Sequence, residues 1–237
     1  MSEETSAWVM IGLDILMICY SLWVFSLKES TASLRFGITI GLGTWLIALH
    51  LGLSTKHIFP GDIAGDVFLG VIVLFVGMVG TLLIGTKPLR RLLLELDQQQ
   101  LLLLQGVRVF FGATFLMQAS LGVLPIAFGI VDGFTHISAG FFGLIAAFAF
   151  ASDCQSNQRA WFANIFGLMD ILVVASSLSL VLLPTITPYH SMMYAVFLPA
   201  PLWLWFHLIS IWKLLRPQHN GLGARLTPQA AHTAAIH

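Results

Sequence analysis

Residues 101–150 read LLLLQGVRVFFGATFLMQASLGVLPIAFGIVDGFTHISAGFFGLIAAFAF, a stretch in which Arg108 and Asp132 are the only formally charged side chains. The hydrocarbon core of a bilayer is about 30 Å thick, and a helix needs roughly 20 apolar residues to cross it. The stretch is therefore long enough for two crossings. Pro125 decides how they are arranged. It offers no N–H and its ring excludes a continuing helix, so the run splits into two helices joined by a tight hairpin.

Working outward, five further apolar runs lie at 8–27, 34–55, 66–86, 160–183 and 194–215, beside 101–124 and 126–150. The reading is an all-α, polytopic membrane protein, a single bundle of seven transmembrane helices over 1–215 with a flexible cytoplasmic tail at 216–237. Composition agrees. Of the 237 residues, 57% are hydrophobic and only 9% charged, against about 25% charged in ordinary globular chains. Mean hydropathy is +0.89. Soluble globular, disordered, collagenous and disulfide-scaffold classes fall away. Eleven basic and eleven acidic side chains cancel, so charge gives no argument for nucleic acid. The expected partners are the lipid bilayer and a small molecule or proton.

The first run carries acidic Glu3 and Glu4 ahead of it, where a secretory signal would be basic, and it is too long for such a signal; it is expected to remain as a helix. Orientation follows from the basic residues. Lys28, Arg35, Lys87, Arg90, Arg91, Arg159, Lys213, Arg216 and Arg225 fall on one side of a seven-span threading, and only Lys56 falls on the other. Basic residues near span ends stay cytoplasmic. That places the N-terminus outside and the C-terminus inside, in a cell membrane of bacterial inner-membrane type. Cys19 and Cys154 lie far apart and form neither a disulfide framework nor a CxxC pair.

Ionisable groups at membrane depth are functional candidates because they are costly to insert. At 1.5 Å rise per residue, Asp14, His50 and Asp132 lie at similar depth in the outer half, with Gln118 level and His136 one turn below Asp132 on the same face. They form the candidate ligand- or proton-binding set: Asp132, His136, Asp14 and His50. In the inner half, Arg108 and Asp170 are the expected buried ion pair, and Gln105, Asn164 and His207 a second polar cluster. The bland alternative for each is a satisfied interhelical contact. The glycine pairs Gly37–Gly41, Gly77–Gly80 and Gly129–Gly133 read as helix packing, and Pro199 with Pro201 implies a kink or break in the last run. His57, Asp62 and Asp66 in KHIFPGDIAGD match no closed metal motif, so no metal ligands are assigned, and the cofactor is left unknown.

Several activities are excluded. Retinal proteins share only the architecture; the lysine they need midway along the last helix is replaced here by PAPLWLWFHL. Clustered-histidine enzymes need more than His207 on that helix, and HISAGFFG supplies no GxSxG-like turn. The segments LLLLQGVRVFFGATFLMQASLGVLP, NIFGLMDILVV and PAPLWLWFHLISIWKLL, over the fourth to seventh runs, resemble multi-pass bacterial proteins described as hypothetical membrane proteins. The resemblance implies a bacterial membrane location and no activity. The functional expectation is a small-molecule binding or transport protein with a protonatable, outward-facing polar cavity. Its alternatives are an intramembrane enzyme acting on a lipid-like substrate and a non-catalytic accessory subunit.

Overall fold

The computed structural model describes residues 1–28, 31–152 and 156–216. Cys154 and the tail beyond Arg216, with Arg225, lie outside the described residues. Those described are all-helical, without strands. In chain order the helices are α1 (Glu3–Ser26), α2 (Ala32–Ser54), α3 (Gly65–Gly85), α4 (Lys87–Glu95), α5 (Gln98–Leu103), α6 (Arg108–Ser120), α7 (Ile126–Ala151), α8 (Ser156–Ser177, continued by a π-helical turn Leu178–Leu182), α9 (Met193–Phe197) and α10 (Pro199–Leu215). Six helical stretches are long and apolar enough to cross a membrane; in two of them, α5 joins α6 and the π turn extends α8.

The local chemistry sets the boundaries. Ser2 and Thr31 accept from the backbone N–H groups of Thr5 and Leu34 and so cap α1 and α2. Asp97 and Gln100 form a reciprocal capping box at the start of α5. Between α6 and α7, the Val123 N–H reaches the Gln118 carbonyl (2.9 Å) and the Gly122 N–H the Ala119 carbonyl (3.1 Å). Gly122 takes φ +70°, the left-handed value this closure needs and glycine supplies without strain. Pro125 then caps α7. The hairpin expected from Pro125 is thus made by Gly122 as much as by the proline.

Two runs differ from single helices. The run 101–124 is interrupted at Leu104–Val107, where the chain tightens into three-residue hydrogen bonds such as Gly106 N–H to Leu103 O at 2.8 Å. The Tyr20 hydroxyl donates to the Leu103 carbonyl at 2.8 Å. The run 194–215 breaks at Leu198 (φ −124°, ψ −71°), because the residue before a proline is driven out of helical conformation. Its remaining helix, α10, has 17 residues, about 25 Å at 1.5 Å per residue. The run expected as a seventh span is therefore discontinuous rather than one helix. The connection 87–100 also proves structured: α4 buries Leu92 and Leu93 and exposes Arg90 and Arg91.

Apolar residues face outward along much of the bundle, with Leu74 and Val181 each 74% exposed. A surface this apolar is what lipid, not water, accommodates. One end is tied by the segment between α8 and α9. The Ser191 N–H donates to the Glu3 carboxylate, Ser191 and Ser6 hydroxyls pair at 2.7 Å, and the Tyr189 hydroxyl donates to the Phe59 carbonyl. At the opposite end Lys28 meets Asp97 at 3.4 Å, and Lys213 donates to the carbonyls of Leu94 and Leu96.

Candidate functional site

The most extensive helix packing is between α6 and α7, and glycine makes it possible. A Cβ on Gly112 would stand 2.4 Å from the Gly133 carbonyl oxygen, and one on Gly129 would stand 2.5 Å from the Ala119 methyl. With the backbones this close, Asp132 and His136 on α7 are carried into the core beside Arg108, at the first turn of α6. On α8, Asn164, Gly167 and Asp170 recur every three residues and share one buried face. On α10, Trp203, His207 and Ser210, spaced four and three residues apart, also share one buried face.

These faces converge on a single polar centre. The Arg108 guanidinium donates to Asp170 Oδ2, forming an ion pair with side chains 0% and 1% exposed. His136 Nδ1 lies 3.1 Å from the same Asp170 oxygen and 2.9 Å from Asp132 Oδ1. Neither contact is aligned as a hydrogen bond, so both oxygens of Asp132 and Oδ1 of Asp170 are buried without a donor. Arg108 also donates to the Gly167 carbonyl (3.4 Å), Gln105 Oε1 (3.5 Å) and His207 Nε2 (3.1 Å). Because arginine only donates, His207 Nε2 must accept, and its proton sits on Nδ1. That Nδ1–H meets Asn164 Oδ1 at 2.9 Å. Asn164 in turn donates to the Ser210 hydroxyl at 2.6 Å, which Gln98 also reaches. The Trp203 ring lies 5.2 Å beneath the Arg108 guanidinium and packs against Phe111 and His136, a placement that favours a desolvated cation.

The outer and inner sets read from the sequence are thus regrouped. Asp132 and His136 join Arg108, Asp170, Gln105, Asn164 and His207, and they do so without Asp14 and His50. Depth read from the sequence placed the four together, but the contacts of the two pairs are with different partners. His50 Nδ1 pairs with the Tyr194 hydroxyl at 2.7 Å, with Trp8 at 5.4 Å between ring centroids. Asp14 is fully buried on α1, and neither its oxygens nor the side-chain amide of Gln118 has a hydrogen-bond partner. Among the described residues, the cavity that borders Asp132 and His136 is lined by neither Asp14 nor His50. His57, Asp62 and Asp66 likewise do not converge among the described residues.

A small cavity of about 40 Å³ borders Asp132 and His136, and Ala195, Val196 and Ala200 line it from the α9–α10 break. That is room for a few waters at most, and ordered water there would satisfy the orphaned carboxylate oxygens. Asp132, His136 and Asp170 also place one ligand atom each within 4.8 Å of one another, a spacing that can hold a metal ion. The charge balance decides against a dication. Two carboxylates and Arg108 sum to one negative charge, which one proton neutralises; a divalent cation would leave a net positive charge in a low-dielectric core.

Gly167 leaves room for the centre: a Cβ there would lie 2.2 Å from His207 Nε2 and 3.2 Å from Arg108. Trp203 and Ser210, which the sequence reading passed over, complete the site, although helical spacing held the signal, since they stand four and three residues from His207.

No curated protein and no solved structure matches this chain. The profile of one family, described as a domain of unknown function (DUF8737), matches residues 66–215. The matched region runs from α3 to the end of α10 and holds every member of the Asp132–His136–Asp170–Arg108 centre, while Asp14 and His50 lie outside it. The match spans well over half the sequence, and the chain belongs to the DUF8737 family.

Proposed function

We propose that this protein is a seven-span membrane protein that binds or transports a small molecule and holds one exchangeable proton on its Asp132–His136–Asp170 centre. The observation that carries the reading is the charge count. Two buried carboxylates face one permanent cation, so the centre reaches neutrality only with one added proton. The cavity beside Asp132 and His136 supplies a route for that proton through water. On the other side, Arg108 and Asn164 hold their protons and pass none on, which closes the route toward Gln98. In the orientation with the N-terminus outside and the C-terminus in the cytoplasm, favoured by nine basic residues against one, the centre is reached from the outer side. A bacterial inner membrane fits that threading.

The α9–α10 break adjoins the same cavity, and a discontinuous helix at membrane depth is a common element of substrate paths. In the present conformation the space admits water only; a larger substrate requires α9 to move. The accessory-subunit reading has one feature in its favour, the small size of that cavity. The excess of buried carboxylates over permanent cations counts against it, since a purely structural network balances its charges.

The test is infrared difference spectroscopy of the purified protein across pH 4–9. A buried carboxyl band that titrates in the wild type and vanishes in Asp132→Asn is the expected result. If no carboxyl or imidazole band responds, and Asp132→Asn and His136→Ala are both silent in a growth or uptake assay, the reading fails.

A further inference from the structure

A second site lies away from the polar centre. Although α2 and α3 follow one another in the chain, they barely touch. Between them, with α4 as its floor and α10 as its back wall, runs a cavity of about 640 Å³. That is within the roughly 300–1,000 Å³ range of ligand pockets. Its walls are almost wholly apolar, including Trp45, Phe75, Leu89 and Leu92. Gly37 and Gly41 line it as well, and a Cβ on either would meet nothing within 4 Å. Expected as helix-packing residues, these two glycines instead widen an open space. Gly77 on α3 faces open space too, whereas Gly80 is filled by Trp205.

Basic residues flank one end of this cavity without lining it. Leu34 and Gly37 line it on either side of Arg35, Thr86 and Pro88 on either side of Lys87, and Leu89 precedes Arg90. Lys87 and Arg90 are exposed, and among the described residues neither they nor Arg35 form an ion pair. The helix that carries two of them, α4, turns Leu89, Leu92 and Leu93 toward the cavity and its cations outward, the pattern of a helix lying in a membrane interface.

We infer that the α2–α3 cavity binds one anionic phospholipid of the surrounding bilayer, with an acyl chain along Gly37, Gly41 and Trp45 and the phosphate at Arg35, Lys87 and Arg90. The chain gains from leaving no void in an apolar cavity, and the headgroup from cations near the surface. Neither part depends on the proton centre.

Trp45 is the reporter. The protein is placed in nanodiscs containing phosphatidylglycerol or phosphatidylcholine with brominated chains, and Trp45 quenching is taken as the difference between wild type and Trp45→Phe. Half-maximal quenching is expected at a several-fold lower fraction of phosphatidylglycerol than of phosphatidylcholine. Arg35→Gln and Arg90→Gln should each reduce that preference about fivefold at most. Gly41→Leu, whose side chain projects into the cavity from a position with no neighbour to displace, should abolish Trp45 quenching. Equal quenching by the two lipids overturns the proposal, as does quenching unchanged in Gly41→Leu. Efficient cross-linking between Gly41→Cys copies, in protein with Cys19 and Cys154 replaced by serine, overturns it in favour of a second copy of the chain.

Discussion

Removing one member of the Arg108–Asp170 pair leaves a charge in the core without its ion-pair partner, and such losses cost about 3–5 kcal/mol when the pair is fully buried. Both side chains here are essentially inaccessible. The two single substitutions should nevertheless differ. Asp170→Asn leaves Arg108 its contacts with Gln105, Gly167 and His207, so its cost belongs at about the lower end of that range. Arg108→Met strips those three acceptors of their donor and leaves two carboxylates beside a single imidazole, so about 5 kcal/mol is expected. The double variant removes one charge of each sign and returns Asp132 and His136 to a balanced pair. It should cost about as much as Arg108→Met alone, giving a coupling of about 3 kcal/mol. Unfolding of the four proteins in mixed micelles by SDS titration, followed by tryptophan fluorescence, measures the cycle. If the double variant's cost equals the sum of the two singles to within about 0.5 kcal/mol, the residues are independent and the charge-count argument for the centre collapses.

Gly167→Ala should destabilise the fold by about 2 kcal/mol or more, because its methyl falls on the His207 ring; His207→Ala in the same background should recover part of the loss, and no recovery would place the clash elsewhere. Gly122→Ala should cost about 1 kcal/mol through its φ of +70° alone, since open space surrounds the position; an unchanged SDS midpoint would contradict the turn geometry. For threading, single cysteines at Ala64 and Thr86, in protein lacking Cys19 and Cys154, should label from opposite sides of intact cells with a membrane-impermeant maleimide, Ala64→Cys from outside. Labelling of both from one side would remove the seven-span topology. Extensive dialysis against EDTA should leave the SDS midpoint unchanged, and a loss restored by a divalent ion would convert the Asp132–His136–Asp170 centre into a metal site.

Helix placement was written in the sequence because hydropathy and proline act locally. A run of twenty apolar residues is helical in lipid whatever its neighbours, as every backbone group must be satisfied within the segment. The ranges expected for the runs at 34–55, 66–86 and 126–150 accordingly lie close to α2, α3 and α7. The irregular turn at Leu104–Val107 was not legible. It arises from packing, with Tyr20 donating a second hydrogen bond to the Leu103 carbonyl and Leu144 occupying the space above Gly106.

The candidate site divides along the same line. Sequence alone determined which ionisable groups sit at membrane depth and on which helical face, because rise and periodicity are properties of one helix. Which of those groups meet was decided by lateral arrangement. His136 stands between Asp132 and Asp170 because glycines let α6 and α7 approach and because Gly167 leaves room for Arg108 and His207. Asp14 and His50, expected at matching depth, lie on α1 and α2, where His50 pairs with Tyr194 and the Asp14 oxygens meet no donor. Depth is a one-dimensional quantity that a sequence carries; neighbourhood in the plane of the membrane depends on helix–helix packing, which only the folded chain specifies.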